Sequence, residues 1–276
     1  MTFIFMKVVI DMGSQSLRSF TFSSKKDFLE GKIRSEICPL AKDLEGGFLK
    51  ESRKEEALIL LEDFIKGFAA EDVHLYATSA IREAKDGQAF IDEIKERFKI
   101  QAKIISGEEE ANLGYEGVKL LAGTSPFSLL DLGGGSTEIV TPHIKKSYPM
   151  GVVRYFEKID LGEYYRNLPQ IQGKLYAIGG SLSVFVSLSL GSRTYNRERI
   201  HGKTIKRSQI KEITNNLAKM SIEERKSHLG TFSKRVYTII PAGIILDYLL
   251  EKLDQKELIY SDFTAIEGYA LSRKLI

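Results

Sequence analysis

Two short stretches about half a chain apart carry the residue types that hold phosphate and hard metal ions. Residues 8–22 read VVIDMGSQSLRSFTF and residues 127–141 read FSLLDLGGGSTEIVT, with Asp11 matching Asp131, Gly13 matching Gly133 and Ser16 matching Ser136. Each copy is an apolar run, an Asp, a Gly- and Ser-rich turn and a second β-prone run. That pattern makes a strand, a tight turn and a returning strand, with turn N–H groups open to an anion. A single Asp-x-Gly before serine is by default only a hairpin turn. Repetition in register is what argues for chemistry. Asp131 and Glu138 bracket the second turn and offer oxygens suited to Mg²⁺ or Mn²⁺. They stand on opposite arms and meet only if the turn folds tightly. Gly133, Gly134 and Gly135 let the backbone approach a phosphate where a Cβ would intrude, and Ser136 and Thr137 add hydroxyl donors. Gly13, Ser14, Gln15 and Ser16 form the matching cradle in the first copy, and Arg18 adds a bidentate cation. Asp11, at a strand end, either holds a metal or its bound water or only shapes the turn.

The turns need elements to position them. Strands are expected at 7–12, 17–23 and 33–38, and an amphipathic helix at 53–68, where Leu58, Leu61, Phe64, Ile65 and Phe68 recur at helical spacing. Strand 73–77, helix 88–98 and strand 102–105 follow. A helix at 107–122 opens on Ser106 with Glu109 three residues on, a capping-box pattern. Gly123, Ser125 and Pro126 break the periodicity, placing a domain boundary near residue 123. The second half repeats the order, with a hairpin at 127–141, strands at 144–148 and 174–178, then mostly helix. The 276 residues, 43% of them hydrophobic, suffice for one large domain or two ordinary ones. A net charge of +3 argues against a dedicated nucleic-acid binder. The single cysteine, Cys38, excludes an internal disulfide and reads as a buried structural thiol. The apolar start is far too short to span a membrane, so no membrane association and a cytoplasmic location are expected.

Four stretches together resemble the exopolyphosphatase / guanosine pentaphosphate phosphohydrolase family, within the actin, sugar-kinase and heat-shock-ATPase superfamily. They are DMGSQSLR (11–18), ATSAIREAKDG (77–87), SGEEEANL (106–113) and DLGGGSTE (131–138). PMGVVR (149–154), AIGGSLSV (177–184), Ile200-His201-Gly202 and IPAGIILDYLL (240–250) are weaker echoes. The chain resembles the short, two-domain members. The resemblance implies an α/β fold of two ribonuclease-H-like (actin-like) domains with the site in the cleft between them. They would span 1–122 and 123–263, with a C-terminal helix at 264–276 completing the first. It also implies removal of terminal orthophosphate from inorganic polyphosphate or of the 5′-phosphate of guanosine pentaphosphate. Guanosine tetraphosphate is a further candidate ligand, and a homodimer stays open.

Glu108, Glu109 and Glu110 at a helix start are by default dipole-complementing residues. The resemblance makes one of them the general base. Glu110 shares its helix line with the small Gly114 and Gly117, whereas Glu109 is the capping-box member, so Glu110 is chosen with Glu109 as alternate. The resemblance likewise implies a phosphate contact at Ser79 and Arg82, between strand and helix. Gly179, Gly180 and Ser181 fall where superfamily relatives hold a nucleoside, or form only a tight turn. Arg154 could reach the cleft. Arg193, Arg197, Arg199, Lys203, Lys206 and Arg207 face a single acid, Glu198; such a run is usually a solvated face, and here Arg197, Arg199 and Lys203 are candidate guides for a polyanion. The chain departs from the family pattern at Gln15 for Asn, at Arg235-Val236-Tyr237 for Arg-Ala-Asp, and at Ile266 for the Arg before Glu267. A superfamily kinase and a non-catalytic alarmone or polyphosphate sensor are the competing readings.

Overall fold

The structure is a computed structural model that describes residues 6–41, 47–155 and 159–276. Strands β1 (Lys7–Met12) and β2 (Ser16–Phe22) form the first hairpin, helix α1 (Lys25–Glu30) follows, and β3 (Lys32–Ile37) joins the open edge of β2. Then come α2 (Glu51–Ile65), β4 (Val73–Ala77), α3 (Ser79–Glu83), α4 (Gly87–Phe98) and β5 (Gln101–Ile104). Strand β4 lies parallel to β1 and β5 parallel to β4, giving the sheet order β3-β2-β1-β4-β5.

Helix α5 (Gly107–Ala122) leads into the second half. There β6 (Phe127–Leu132), β7 (Thr137–Val140) and β8 (Lys145–Tyr148) make an antiparallel meander. They are followed by α6 (Leu161–Tyr164), β9 (Lys174–Ile178), α7 (Gly180–Ser189), α8 (Arg197–Ile200), β10 (Thr204–Lys206) and α9 (Arg207–Ala218). The chain closes with α10 (Ile222–Leu229), α11 (Ile239–Lys252), β11 (Glu257–Tyr260) and α12 (Ala265–Ser272). The second sheet runs β10-β11-β9-β6-β7-β8. From the β3 edge of the first sheet and the β8 edge of the second the plan is the same, three antiparallel strands and then two parallel ones, with β10 added antiparallel beyond β11. The repeated hairpin is the sequence-visible part of a repeated half.

The early elements fall within a few residues of expectation. Strands β10 and β11, in a stretch read as mostly helix, are new, as is α1. Runs as short as Thr-Ile-Lys and Glu-Leu-Ile-Tyr are too brief to show an alternation. Tertiary pairing with β9 decides β11. Cys38 is fully buried, and burial pushes its thiol up to about 12, in keeping with a structural role. Among the described residues no helix is long and apolar enough to cross a membrane.

Pleating sends alternate side chains to opposite faces. Val8, Ile10 and Met12 enter the core under α2 and α4, whereas Val9 faces α12 with Phe20, Tyr76, Ile266 and Tyr269. In the second sheet Leu130 and Leu132 face the core that holds Ile245 and Leu249 of α11, whereas Leu129 faces α5 with Ala111, Val118 and Val140. Asp11 follows the parity of Val9, and Asp131 that of Leu129. Both carboxylates therefore belong to the inner faces, which α12 and α5 cover.

Helices α5 and α12 cross at backbone contact. A Cβ on Gly117 would lie 2.0 Å from the Thr264 carbonyl oxygen, and one on Gly268 would lie 1.9 Å from that of Leu113. Gly114, by contrast, faces only the flexible ends of Leu129 and Ile178, at 3.2 and 3.4 Å. Gly117→Ala should therefore cost about 1–3 kcal/mol of stability through overpacking. Gly114→Ala should be near neutral, because helix propensity offsets a mild crowding. Denaturant melts of the two variants check the contrast, and equal effects would contradict it.

Candidate active site

Both hairpin turns close the same way. Gly13 N–H donates to the Ser16 carbonyl at 3.0 Å, and Gly133 N–H donates to the Ser136 carbonyl at 3.0 Å. Each turn is buttressed from outside by its neighbouring chain. Cys38 and Ala41 donate to the carbonyls of Gln15 and Ser14, and Val152 and Val153 to those of Gly133 and Gly134. The turn carbonyls are thus engaged. Among the described residues the N–H groups of Ser14, Gln15, Gly134 and Gly135 meet no acceptor. Donors without acceptors on both turns leave two concavities whose polarity suits an anion.

The turns line one cavity of about 420 Å³. The first contributes Gly13, Ser14, Gln15 and Ser16 with Asp11 and Arg18; the second contributes Gly133, Gly134, Gly135 and Ser136 with Asp131. Ser79, Glu110, Gly179, Gly180 and Ser181 complete the set of expected residues on its wall. The turns also touch. A Cβ on Gly134 would stand 2.9 Å from Gln15 Cβ, and one on Gly135 would stand 2.6 Å from the hydroxyls of Ser14 and Ser79. In this conformation these two glycines let the turns approach each other. Ser14 Oγ in turn accepts from the Ala80 N–H at 3.0 Å, joining the first turn to the start of α3.

Register sets the carboxylates. Asp131 pairs with Glu138 across β6 and β7, as Asp11 pairs with Arg18 across β1 and β2, so the second hairpin folds tightly enough to set the two acids opposite each other. Glu138 lies behind the cavity wall, buried, and accepts from Ser147 Oγ at 2.6 Å. Glu110 faces the cavity, and its Oε2 accepts from Arg82 Nη1 at 3.0 Å. Glu109 points elsewhere: its side chain pairs with Lys103 and is 41% exposed. Only half of the expected capping box forms there, Ser106 Oγ accepting from the Glu109 N–H at 3.0 Å.

Several expected contacts are not on the cavity wall. Thr137 shares the parity of Ile139, so the pleat turns it into the core, where its hydroxyl donates to the Met150 carbonyl at 2.6 Å and meets Tyr165. Arg82 serves Glu110 and the Ile105 carbonyl instead. Arg154 crosses to Glu83 and Ser79. Arg197 is a tie between the halves, donating to the Glu30 and Gly31 carbonyls and pairing with Asp262 at 3.2 Å. Arg199 and Lys203 are exposed outside the cavity.

Residues 41–275 match the Ppx/GppA phosphatase family. The chain belongs to it. It is similar to the Ppx/GppA family member of Aquifex aeolicus, at 26% identity and a TM-score of 0.76 over 98% of this chain and 97% of that one. An exopolyphosphatase structure from Cytophaga hutchinsonii shares the fold at a TM-score of 0.83, with 20% identity over 98% of each chain. Exopolyphosphatase 2 of Mycobacterium tuberculosis is 24% identical over 95% of this chain and 97% of its own. The bifunctional 3-dehydroquinate synthase/phosphatase of Fusobacterium nucleatum is 27% identical over 97% of this chain, which spans 46% of that protein's length. The two sheets are thus those of the two actin-like domains of Ppx/GppA structures.

In this Ppx/GppA protein the cavity gathers charge of both signs. Burial raises the pKa of Asp131, and Asp11 raises it further. Burial likewise lifts Glu110 well above the usual carboxylate range; Arg82 opposes this, while Asp131 and Asp11 add to it. Glu138 rises by burial and by the nearness of Glu110 and Asp131. Mutually repelling carboxylates of this kind fit a divalent cation. Among the described residues no group of three or more His, Cys, Asp or Glu could cage one alone. A Mg²⁺ or Mn²⁺ here would meet Asp131 and Asp11 on the cavity wall, with Glu138 behind them, and would need substrate oxygens for the remainder.

Sequence reasoning missed the cations and hydroxyls of the C-terminal third. Arg235 lines the cavity, lies against Gly180, and has its pKa lowered to about 10 by burial and by Arg18. Burial also opposes the charge of Arg18, but Asp11 and Glu267 outweigh it and leave its pKa raised. Tyr195, Tyr260 and Asp262 line the same wall, both hydroxyls donating to Asp262, at 2.7 and 2.8 Å. Asp262 follows β11 as Asp11 and Asp131 end their strands, a signal lost because β11 was unread.

Glu267 is fully buried beside this cluster. Its Oε2 caps α12 through the Thr264 N–H at 2.7 Å, and its Oε1 has no hydrogen-bond partner. Burial pushes its pKa from 4.5 to about 7. Between those values the native state holds a proton that the unfolded chain has shed, so stability falls as pH rises through this window and levels off above it. Glu267→Gln removes that loss. Its melting temperature relative to the parent should be higher at roughly pH 8 than at roughly pH 5. Thermal unfolding at both values checks this, and a pH-independent offset would refute it.

Proposed function

We propose that this protein is a phosphohydrolase that releases terminal orthophosphate from inorganic polyphosphate, or the 5′-phosphate from guanosine pentaphosphate by the same chemistry. The observation that carries this reading is the composition of one cavity. It presents acceptor-free N–H groups from both turns, the guanidiniums of Arg18 and Arg235, and the carboxylate of Glu110. Donors brought side by side from two touching turns suit a phosphoryl group of a polyanion, and a base on the same cavity wall suits water attack on phosphorus. Family membership and similarity to proteins named exopolyphosphatases support the same class.

In this mechanism the turn N–H groups, with the hydroxyls of Ser14 and Ser136, hold the terminal phosphoryl oxygens. Arg18 and Arg235 bind the phosphoryl groups behind it. Arg82 holds Glu110 by its 3.0 Å contact, so the other carboxylate oxygen is left to orient a water. That water's oxygen bonds to the terminal phosphorus in line, Glu110 takes its proton, and the bridging P–O bond breaks to leave a chain one phosphate shorter. The raised pKa makes Glu110, once ionised, a stronger base than an exposed glutamate. A divalent ion at Asp131 and Glu138 would supply charge neutralisation on the phosphoryl oxygens.

Phosphate release from polyphosphate and from guanosine pentaphosphate, assayed side by side on purified protein, tests the reading. Glu110→Gln should slow release by about 10²–10⁴-fold while leaving substrate affinity largely unchanged. Wild-type turnover by this variant would remove Glu110 from the mechanism.

A further inference from the structure

Two donors that could serve a phosphoryl group are both spent on one carboxylate. Ser79, at the first position of α3, lines the cavity, and its hydroxyl donates to Glu83 Oε1 at 2.8 Å. Arg154 reaches across from the turn after β8; its Nη2 lies 3.1 Å from Ser79 Oγ and 2.5 Å from Glu83 Oε2. A carboxylate with one oxygen on a serine hydroxyl and the other on a guanidinium is placed as two oxygens of a phosphoryl group would be. Ser79 Oγ is also 2.6 Å from where a Cβ on Gly135 would sit, so this cluster abuts the meeting point of the two turns.

We propose that Glu83 is an internal competitor for a phosphate subsite made of Ser79 and Arg154, and so sets the affinity of the cavity for polyphosphate. Glu83 can leave without burying its charge, since its side chain is 38% exposed. Once it swings to solvent, the Ser79 hydroxyl proton and the Arg154 N–H that faced Glu83 are both released, with Arg154 still held at the cavity wall by its contact to Ser79 Oγ. The same exchange releases a tie between the halves, because Glu83 belongs to α3 and Arg154 to the loop that buttresses the second turn. The proposal rests on the phosphohydrolase reading only for its ligand class, a polyphosphate anion.

A half-exposed ion pair is worth up to a few-fold in an equilibrium constant. Glu83→Gln should therefore tighten binding about two- to five-fold, and Arg154→Gln should weaken it. In the double variant the Glu83 substitution should have no further effect, since Glu83 acts through Arg154. Calorimetric titration with tripolyphosphate in the presence of a chelator reads affinity without turnover, so it is independent of whether the protein hydrolyses the ligand. Weaker or unchanged binding by Glu83→Gln overturns the proposal, because a carboxylate that merely orients Arg154 would help binding. Absence of tripolyphosphate binding by the parent protein overturns it too. Failure of hydrolysis with binding intact would count against the phosphohydrolase reading alone.

Discussion

Backbone contact between α5 and α12 sets the distance between the two halves, and the candidate site depends on it. Each helix covers the inner face of one sheet, and each carries at its N-terminal end a residue that belongs to the charge cluster. Glu110 opens α5, and Glu267 caps α12 beside Arg18. A side chain at Gly117 or Gly268 would drive the helices apart by more than an ångström, because the opposing atoms are backbone carbonyls that cannot rotate away. The turns at Gly134 and Gln15 could then no longer touch. Close packing at glycines that touch no ligand thus fixes the spacing of the groups that face the cavity.

That spacing concentrates charge where solvent is scarce. On top of burial, Asp11 raises the proton affinity of Asp131, both raise that of Glu110, and Glu110 and Asp131 raise that of Glu138, while Arg18 lowers that of Arg235 on the same wall. Unpaired buried charge costs stability, and Glu267 Oε1 and Arg197 Nη2 add orphaned polar atoms at the edge of the cluster. A polyanion with a divalent ion would neutralise both signs together. The electrostatic cost of the cavity and its fit to such a ligand would have one origin.

Much of this was legible in the chain. The hairpin repeat survives as matched turns with the same hydrogen bond, and the register of Asp131 with Glu138 follows from their positions on either side of a four-residue turn. The choice of Glu110 over Glu109 as the cavity-facing residue rested on helical angles, and the structure turns the two side chains apart as those angles require. Thr137 could have been read correctly, since pleat parity alone places it with Ile139 rather than with Glu138. Arg154 and Arg197 could not. The Glu83 partner of Arg154 and the Glu30 and Gly31 carbonyls that Arg197 meets lie in the other half of the chain, and nothing local distinguishes a bridging arginine from a free one.

Local order determined which residues can do chemistry: strand ends, glycine turns and helix starts arise from neighbours in sequence, so their motifs carry the residue types and faces. Tertiary structure decided which of those residues meet. The cavity draws Arg235, Tyr195 and Asp262 from beyond residue 190, and it draws Glu110 from the helix that links the halves. Contacts between distant segments depend on how two sheets pack across α5 and α12, and that packing is written in shape and volume rather than in any motif.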